Sequence, residues 1–111
     1  MRDDVERLRY MLEAIARIER YAACGRERFE ADELVQTWFI QNLQVLGEAA
    51  RSLSQETRDR APAIPWRQRI GMRNVLAHTY FNIDLDAVWS AVADTVPLLK
   101  APIAELLQQL S

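Results

Sequence analysis

Asp32-Glu33-Leu34-Val35-Gln36-Thr37-Trp38-Phe39-Ile40-Gln41-Asn42-Leu43-Gln44-Val45-Leu46-Gly47-Glu48-Ala49-Ala50-Arg51-Ser52-Leu53 is the stretch whose reading decides the fold. Asp32 is suited to cap a helix, because its carboxylate can accept from the free amides of a first turn. The apolar residues after it recur at helical steps and leave little polar surface, so this helix is expected to be buried on more than one side. Its polar remainder is a stripe of Gln41, Gln44 and Glu48 at spacings of three and four. Gly47 costs roughly 1 kcal/mol relative to alanine inside a helix. Its presence suggests that another helix approaches closely.

Upstream, a first helix is expected to start at Asp3 or Asp4, with either carboxylate as its cap. Val5, Leu8, Leu12, Ile15, Ile18 and Ala22 form an apolar stripe, and charged residues cover most of the remainder. Gly25 is a natural stop, and Gly25 to Phe29 reads as a connection. Downstream, Ser54-Gln55-Glu56-Thr57 reads as a cap and a short helix that must end near Pro62. Pro65 is placed to open the next helix at Trp66, which should run to about His78. Asp84 caps a last long segment whose apolar face runs from Leu85 and Val88 to Leu106 and Leu110, with Pro97 and Pro102 kinking or dividing it. No stretch reads as a strand. The expected fold is all-α: an antiparallel bundle of four main helices with one short extra helix.

A chain of 111 residues is expected to be one domain, residues 1–111. Half of it is hydrophobic and it holds three glycines, which excludes a disordered chain. One cysteine, Cys24, excludes an internal disulfide and fits a reducing compartment. One cysteine and one histidine argue against a structural zinc site, and no metal or cofactor is expected. With no leader pattern and no apolar run of transmembrane length, a soluble cytoplasmic protein is expected.

The net charge is −2, but it is unevenly spread. Between residues 56 and 80, five arginines face only Glu56 and Asp59, whereas residues 81–111 carry four acids against Lys100. The basic segment favours an anionic ligand, with Arg67 and Arg69 as RNA-binding candidates. The plainer alternative is a solvated arginine-rich face, since thirteen of the fourteen basic residues are arginine.

Within that segment, Gly71-Met72-Arg73-Asn74-Val75-Leu76-Ala77-His78-Thr79-Tyr80 gathers an arginine, an amide, the chain's one histidine and a phenol. Asn74 and His78 are four apart, so on a helix the amide can orient the ring. Arg73 and His78 are five apart, about 140° around a helix, and do not face the same way. A lone histidine near a helix end is more often structural. Its company here favours chemistry: an imidazole can move a proton, and a guanidinium can hold a phosphodiester's developing charge. Those parts suffice for metal-independent RNA cleavage by attack of the adjacent 2′-hydroxyl. One histidine cannot readily serve as both base and acid, but a two-fold dimer would bring two to one cleft.

The chain resembles the HepT-like branch of the HEPN superfamily. Arg73-Asn74-Val75-Leu76-Ala77-His78-Thr79-Tyr80 fits that branch's Arg-x4-His-x-Tyr pattern. Gly47-Glu48-Ala49, Pro65-Trp66, Gly71-Met72 and Val88-Trp89 extend the likeness from Asp3 to about Leu107. The resemblance implies a HEPN-like helical homodimer that acts as an endoribonuclease toxin, with its sites built across the two-fold interface. It implies Arg73 and His78 in catalysis, Asn74 in support, and Glu48 as a lesser supporting candidate whose plain alternative is a surface glutamate. It further implies a partner, an MntA-like nucleotidyltransferase antitoxin, that silences the enzyme by AMPylation of Tyr80. The alternative is a non-catalytic helical binding subunit of such a nucleotidyltransferase.

Overall fold

A computed structural model of the chain describes residues 2–64, 66 and 84–111. The expected helix from Trp66 to His78 lies outside the described residues beyond Trp66 itself, as do Arg67, Arg69, Arg73, Asn74, His78 and Tyr80. The elements are α1 (Arg2–Ala22), α2 (Arg26–Ala31), α3 (Glu33–Ser52), α4 (Gln55–Asp59), α5 (Leu85–Ser90), a π-helical segment (Ala91–Thr95) and α6 (Val96–Leu110). The architecture is all-α, and no strand occurs among the described residues.

Helix α1 forms because its apolar residues return every three or four positions. Leu8, Met11, Ala14, Ile15 and Ile18 are all buried, so the expected stripe is present and wider than its pattern, by Met11 and Ala14. Asp4 does something other than cap its own helix. It is buried inside α1, and its carboxylate accepts from Ser54 Oγ (2.6 Å), Thr57 Oγ1 (2.5 Å) and the Ser54 amide (3.2 Å). Burial pushes this carboxyl up, but the hydrogen bonds from Ser54 and Thr57 outweigh it and hold the pKa below the ordinary aspartate value. Ser54 in turn caps α4 by accepting from the Thr57 amide.

The turn after α1 ends at Gly25, whose φ of 87° and ψ of 162° suit glycine. The next six residues form a helix, α2, where the sequence suggested only a connection. The reason is tertiary. Phe29 is fully buried and stacks near Phe39 (centroids 5.6 Å apart) and Trp89 (5.4 Å), so one aromatic cluster joins α2, α3 and α5. Arg26 adds ion pairs to Glu30 on its own helix and to Asp86 of α5. Asp32 then caps α3 as expected, accepting from the Leu34 and Val35 amides.

Helix α3 buries Val35, Phe39, Leu43, Leu46, Ala49 and Ala50, and Gly47 with them. Not every apolar residue of this helix is covered: Leu34 is 82% exposed. At one end of the α1–α3 pair, Trp38 Nε1 donates to the Arg17 carbonyl (2.8 Å). At the other, Asp4 holds Ser54, so the two helices run antiparallel. Helix α6 packs on α1 as well. Lys100 near its start pairs with Glu19 near the end of α1 (3.0 Å), which makes α6 antiparallel to α1 too.

Asp84 caps α5 by accepting from the Ala87 amide, as its position in sequence suggested. The last segment is divided ahead of Pro97. The ring of a helical proline crowds the carbonyl four residues back and supplies no amide hydrogen. Here the preceding turn widens to a π-helix in which the Val96 amide bonds to the Ala91 carbonyl. Pro102 lies inside α6. No helix among the described residues is long and apolar enough to cross a membrane.

Candidate functional site

Two fixed points frame the segment that carries the Arg-x4-His motif. On its near side, the Trp66 indole donates to the Arg58 and Ala61 carbonyls, both at 3.1 Å, and Ile64 is buried beside it. Those carbonyls belong to the end of the bundle where Asp4 binds Ser54 and Thr57. On its far side, Asp84 opens α5, whose Asp86 pairs with Arg26 at the opposite end, beyond the close of α1. Trp66 and Asp84 therefore stand at opposite ends of the α1–α3 pair, whose twenty residues of helix in α3 span about 30 Å.

Of the candidate site residues, Glu48 is the one among the described residues. It is exposed on α3, on the polar stripe with Gln41 and Gln44. Together they line an open hollow of about 410 Å³ between α1 and α3, closed on the other side by Arg7 and Tyr10. Val45 and Ala49 supply its apolar floor. The sequence offered Arg7 only as part of a charged face. Nothing local in it could place Arg7 and Tyr10 opposite Glu48, because that pairing depends on how α1 lies against α3.

A second hollow of about 420 Å³ continues the same groove and shares Gln41 with the first. It is lined by Tyr21, Trp38 and Leu34, with Arg28 and Asp32 at its edge. The Tyr21 ring meets Trp38 edge-on, centroids 5.5 Å apart. Among the described residues no group of three or more histidine, cysteine or acidic side chains could hold a metal ion. The groove presents phenols, amides, two carboxylates and two guanidinium groups, suited to hydrogen bonding and packing.

The chain is 32% identical over 92 residues to "Putative RNase TTE0752" of Caldanaerobacter subterraneus, covering 83% of this chain and 82% of that protein. It is 34% identical over 80 residues to "Probable ribonuclease HepT" of Thermococcus cleftensis, covering 72% and 73%. It is also 34% identical over 112 residues to "Gamma-glutamylcyclotransferase and putative RNase MJ0434" of Methanocaldococcus jannaschii, covering 99% of this chain and half of that longer protein. No solved structure matches. The family described as ribonuclease HepT-like matches residues 11–106, all but the two ends. The chain belongs to the HepT-like ribonuclease family.

Proposed function

We propose that this protein is the RNA-cleaving toxin of a toxin–antitoxin pair, a metal-independent endoribonuclease with Arg73 and His78 as its catalytic residues. The observation that carries this reading is the family match over residues 11–106, a span that includes Arg73-Asn74-Val75-Leu76-Ala77-His78-Thr79-Tyr80. In the proposed reaction, a His78 imidazole takes the proton of a ribose 2′-hydroxyl as its oxygen attacks the adjacent phosphorus. The bond from phosphorus to the 5′-oxygen breaks, and that oxygen receives a proton from the His78 of a second subunit. Arg73 holds the negative charge that gathers on the phosphoryl oxygens, and Asn74 orients the imidazole. The two-fold homodimer answers the need for an acid and a base in a chain with one histidine. Glu48, Arg67 and Arg69 are proposed as supporting and RNA-contacting groups.

Control is proposed to come from a nucleotidyltransferase antitoxin. It joins the α-phosphate of ATP to the Tyr80 phenol oxygen and releases pyrophosphate. The AMP so attached carries negative charge next to Arg73 and occupies the place of an RNA phosphate.

Cleavage of RNA by the purified protein, with and without a chelator, tests the reading. His78→Ala and Arg73→Ala should each slow cleavage, by roughly 10²–10⁴-fold where the proton carrier is lost, while circular dichroism stays unchanged. Wild-type cleavage rates in His78→Ala would overturn the catalytic assignment. Tyr80→Phe should cleave RNA normally yet escape a co-expressed nucleotidyltransferase. Intact-mass spectrometry should find AMP adducts on the wild type and none on that variant; adducts that persist would assign the acceptor elsewhere.

A further inference from the structure

Two arginines among the described side chains are half-buried, Arg7 on α1 and Arg58 on α4. Arg7 has a carboxylate beside it, Asp4 at 3.8 Å. Arg58 has none. Its Nε is sealed from solvent with no hydrogen-bond partner, the one such side-chain atom among the described residues. Its two terminal nitrogens keep access to solvent and make no ion pair or hydrogen bond within the chain. Burying part of a charged group without a partner costs stability.

The neighbouring backbone and side chains do not use this guanidinium. An arginine in the last turn of a helix can bond the free carbonyls there. Here those carbonyls are taken: Thr57 accepts from the Arg60 amide, and Arg58 from the Ala61 amide and the Trp66 indole. The acids of α4 do not face Arg58. Glu56 and Asp59 are two and one residues away, on other sides of the helix, and Asp59 accepts from Gln55 Nε2 (2.7 Å). The positions three and four before it, Gln55 and Ser54, are uncharged.

We propose that Arg58 is an RNA-binding residue whose outward edge takes two oxygens of a backbone phosphate flanking the one that is cleaved. The inference rests on the ribonuclease reading above and adds to it a contact outside the Arg-x4-His motif. With Nε sealed and the terminal nitrogens at solvent, the guanidinium fork is turned outward. That fork matches the paired oxygens of a phosphate, which also supplies the missing counter-charge. Its place in the chain favours the substrate. The Trp66 indole bonds directly to the Arg58 carbonyl (3.1 Å), and Trp66 leads into the segment that carries the motif. A phosphate held here fixes the register of the strand, which is what phosphate contacts contribute.

RNA binding by the full-length protein decides it, measured in a His78→Ala background so that the strand stays whole. Arg58→Gln should weaken binding about tenfold, as loss of one charged hydrogen bond does. It should also lower by about one the slope of log affinity against log salt. Arg58→Lys keeps the charge without the fork, so the slope should stay while part of the affinity is lost. In the cleaving protein, Arg58→Gln should raise KM and leave kcat in place. Arg20→Gln removes an exposed charge near the far end of α1 and should change neither slope nor KM. Arg58→Met keeps the stem, deletes the unpaired nitrogen and should not lower the Tm. No RNA binding by the His78→Ala protein and no cleavage by the wild type would overturn the ribonuclease reading and this contact together. A wild-type slope and affinity in Arg58→Gln would overturn the contact alone, as would an equal loss in Arg20→Gln, the mark of general attraction by charge. A lower Tm in Arg58→Met with RNA binding unchanged would make Arg58 a structural residue. Loss of nucleotidyltransferase binding in Arg58→Gln, with RNA binding unchanged, would give the arginine to a carboxylate of that protein instead.

Discussion

Asp4 gains more from its partners than it loses to burial, and the gain depends on its charge. Its folded pKa lies below the unfolded one, so its contribution to stability is complete above the ordinary aspartate range, near pH 4. That contribution is lost as pH falls through the lower folded value. Asp4→Asn should therefore cost about 1.5–3 kcal/mol at pH 7, the worth of a charged hydrogen bond. Thermal unfolding followed from pH 7 to pH 2 should show the two proteins converge in acid; a gap that stays constant would refute the charge as its source. At this scale the sequence was legible wherever chemistry is local. Asp32, Ser54 and Asp84 were readable as caps because a cap is a side chain reaching its own backbone two or three residues on. Asp4 was misread for the complementary reason, since its partners are fifty residues away. The motif could be noticed without tertiary knowledge, as an arginine and the one histidine at fixed spacing, and its residues lie outside the described ones.

Among the elements, α2 was the hardest to foresee. Six residues with a single large apolar side chain show no period, and an isolated helix of that length does not offset the cost of its nucleation. It exists because Phe29 reaches Phe39 and Trp89. Phe29→Ala should cost about 3–5 kcal/mol, as removal of a fully buried ring does. Urea unfolding of the variant measures it, and a loss under about 1 kcal/mol would show that the cluster closes over the gap. Gly25 opens this element in a conformation nearly confined to glycine, while a Cβ there would meet no atom within 4 Å. The cost of Gly25→Ala is then one of backbone strain alone, about 1–3 kcal/mol. Calorimetry should find it; an unchanged Tm would mean the turn relaxes. The long helices were legible because their apolar residues repeat over several turns. The π-helical segment was not, although Pro97 did announce a break.

For the whole molecule, the bundle could be read because caps and stripes alternate along the chain, and each marks where one helix gives way to the next. The faces left open could not be read that way. The sequence treats Leu34 and Val35 alike, whereas one is exposed and the other buried, because the approach of α1 decides which side of α3 is covered. Its three tryptophans have ended in three different surroundings: Trp38 in the α1–α3 groove, Trp66 on the carbonyls after α4, and Trp89 among the phenylalanines. This distribution gives the protein an optical probe of its own. With Trp66→Phe and Trp89→Phe, the remaining indole reports on the groove alone, and any molecule that settles there should strip water from the exposed part of the ring and shift its emission to the blue. An emission maximum that stays fixed when RNA or a nucleotidyltransferase is added would mean that neither covers the groove.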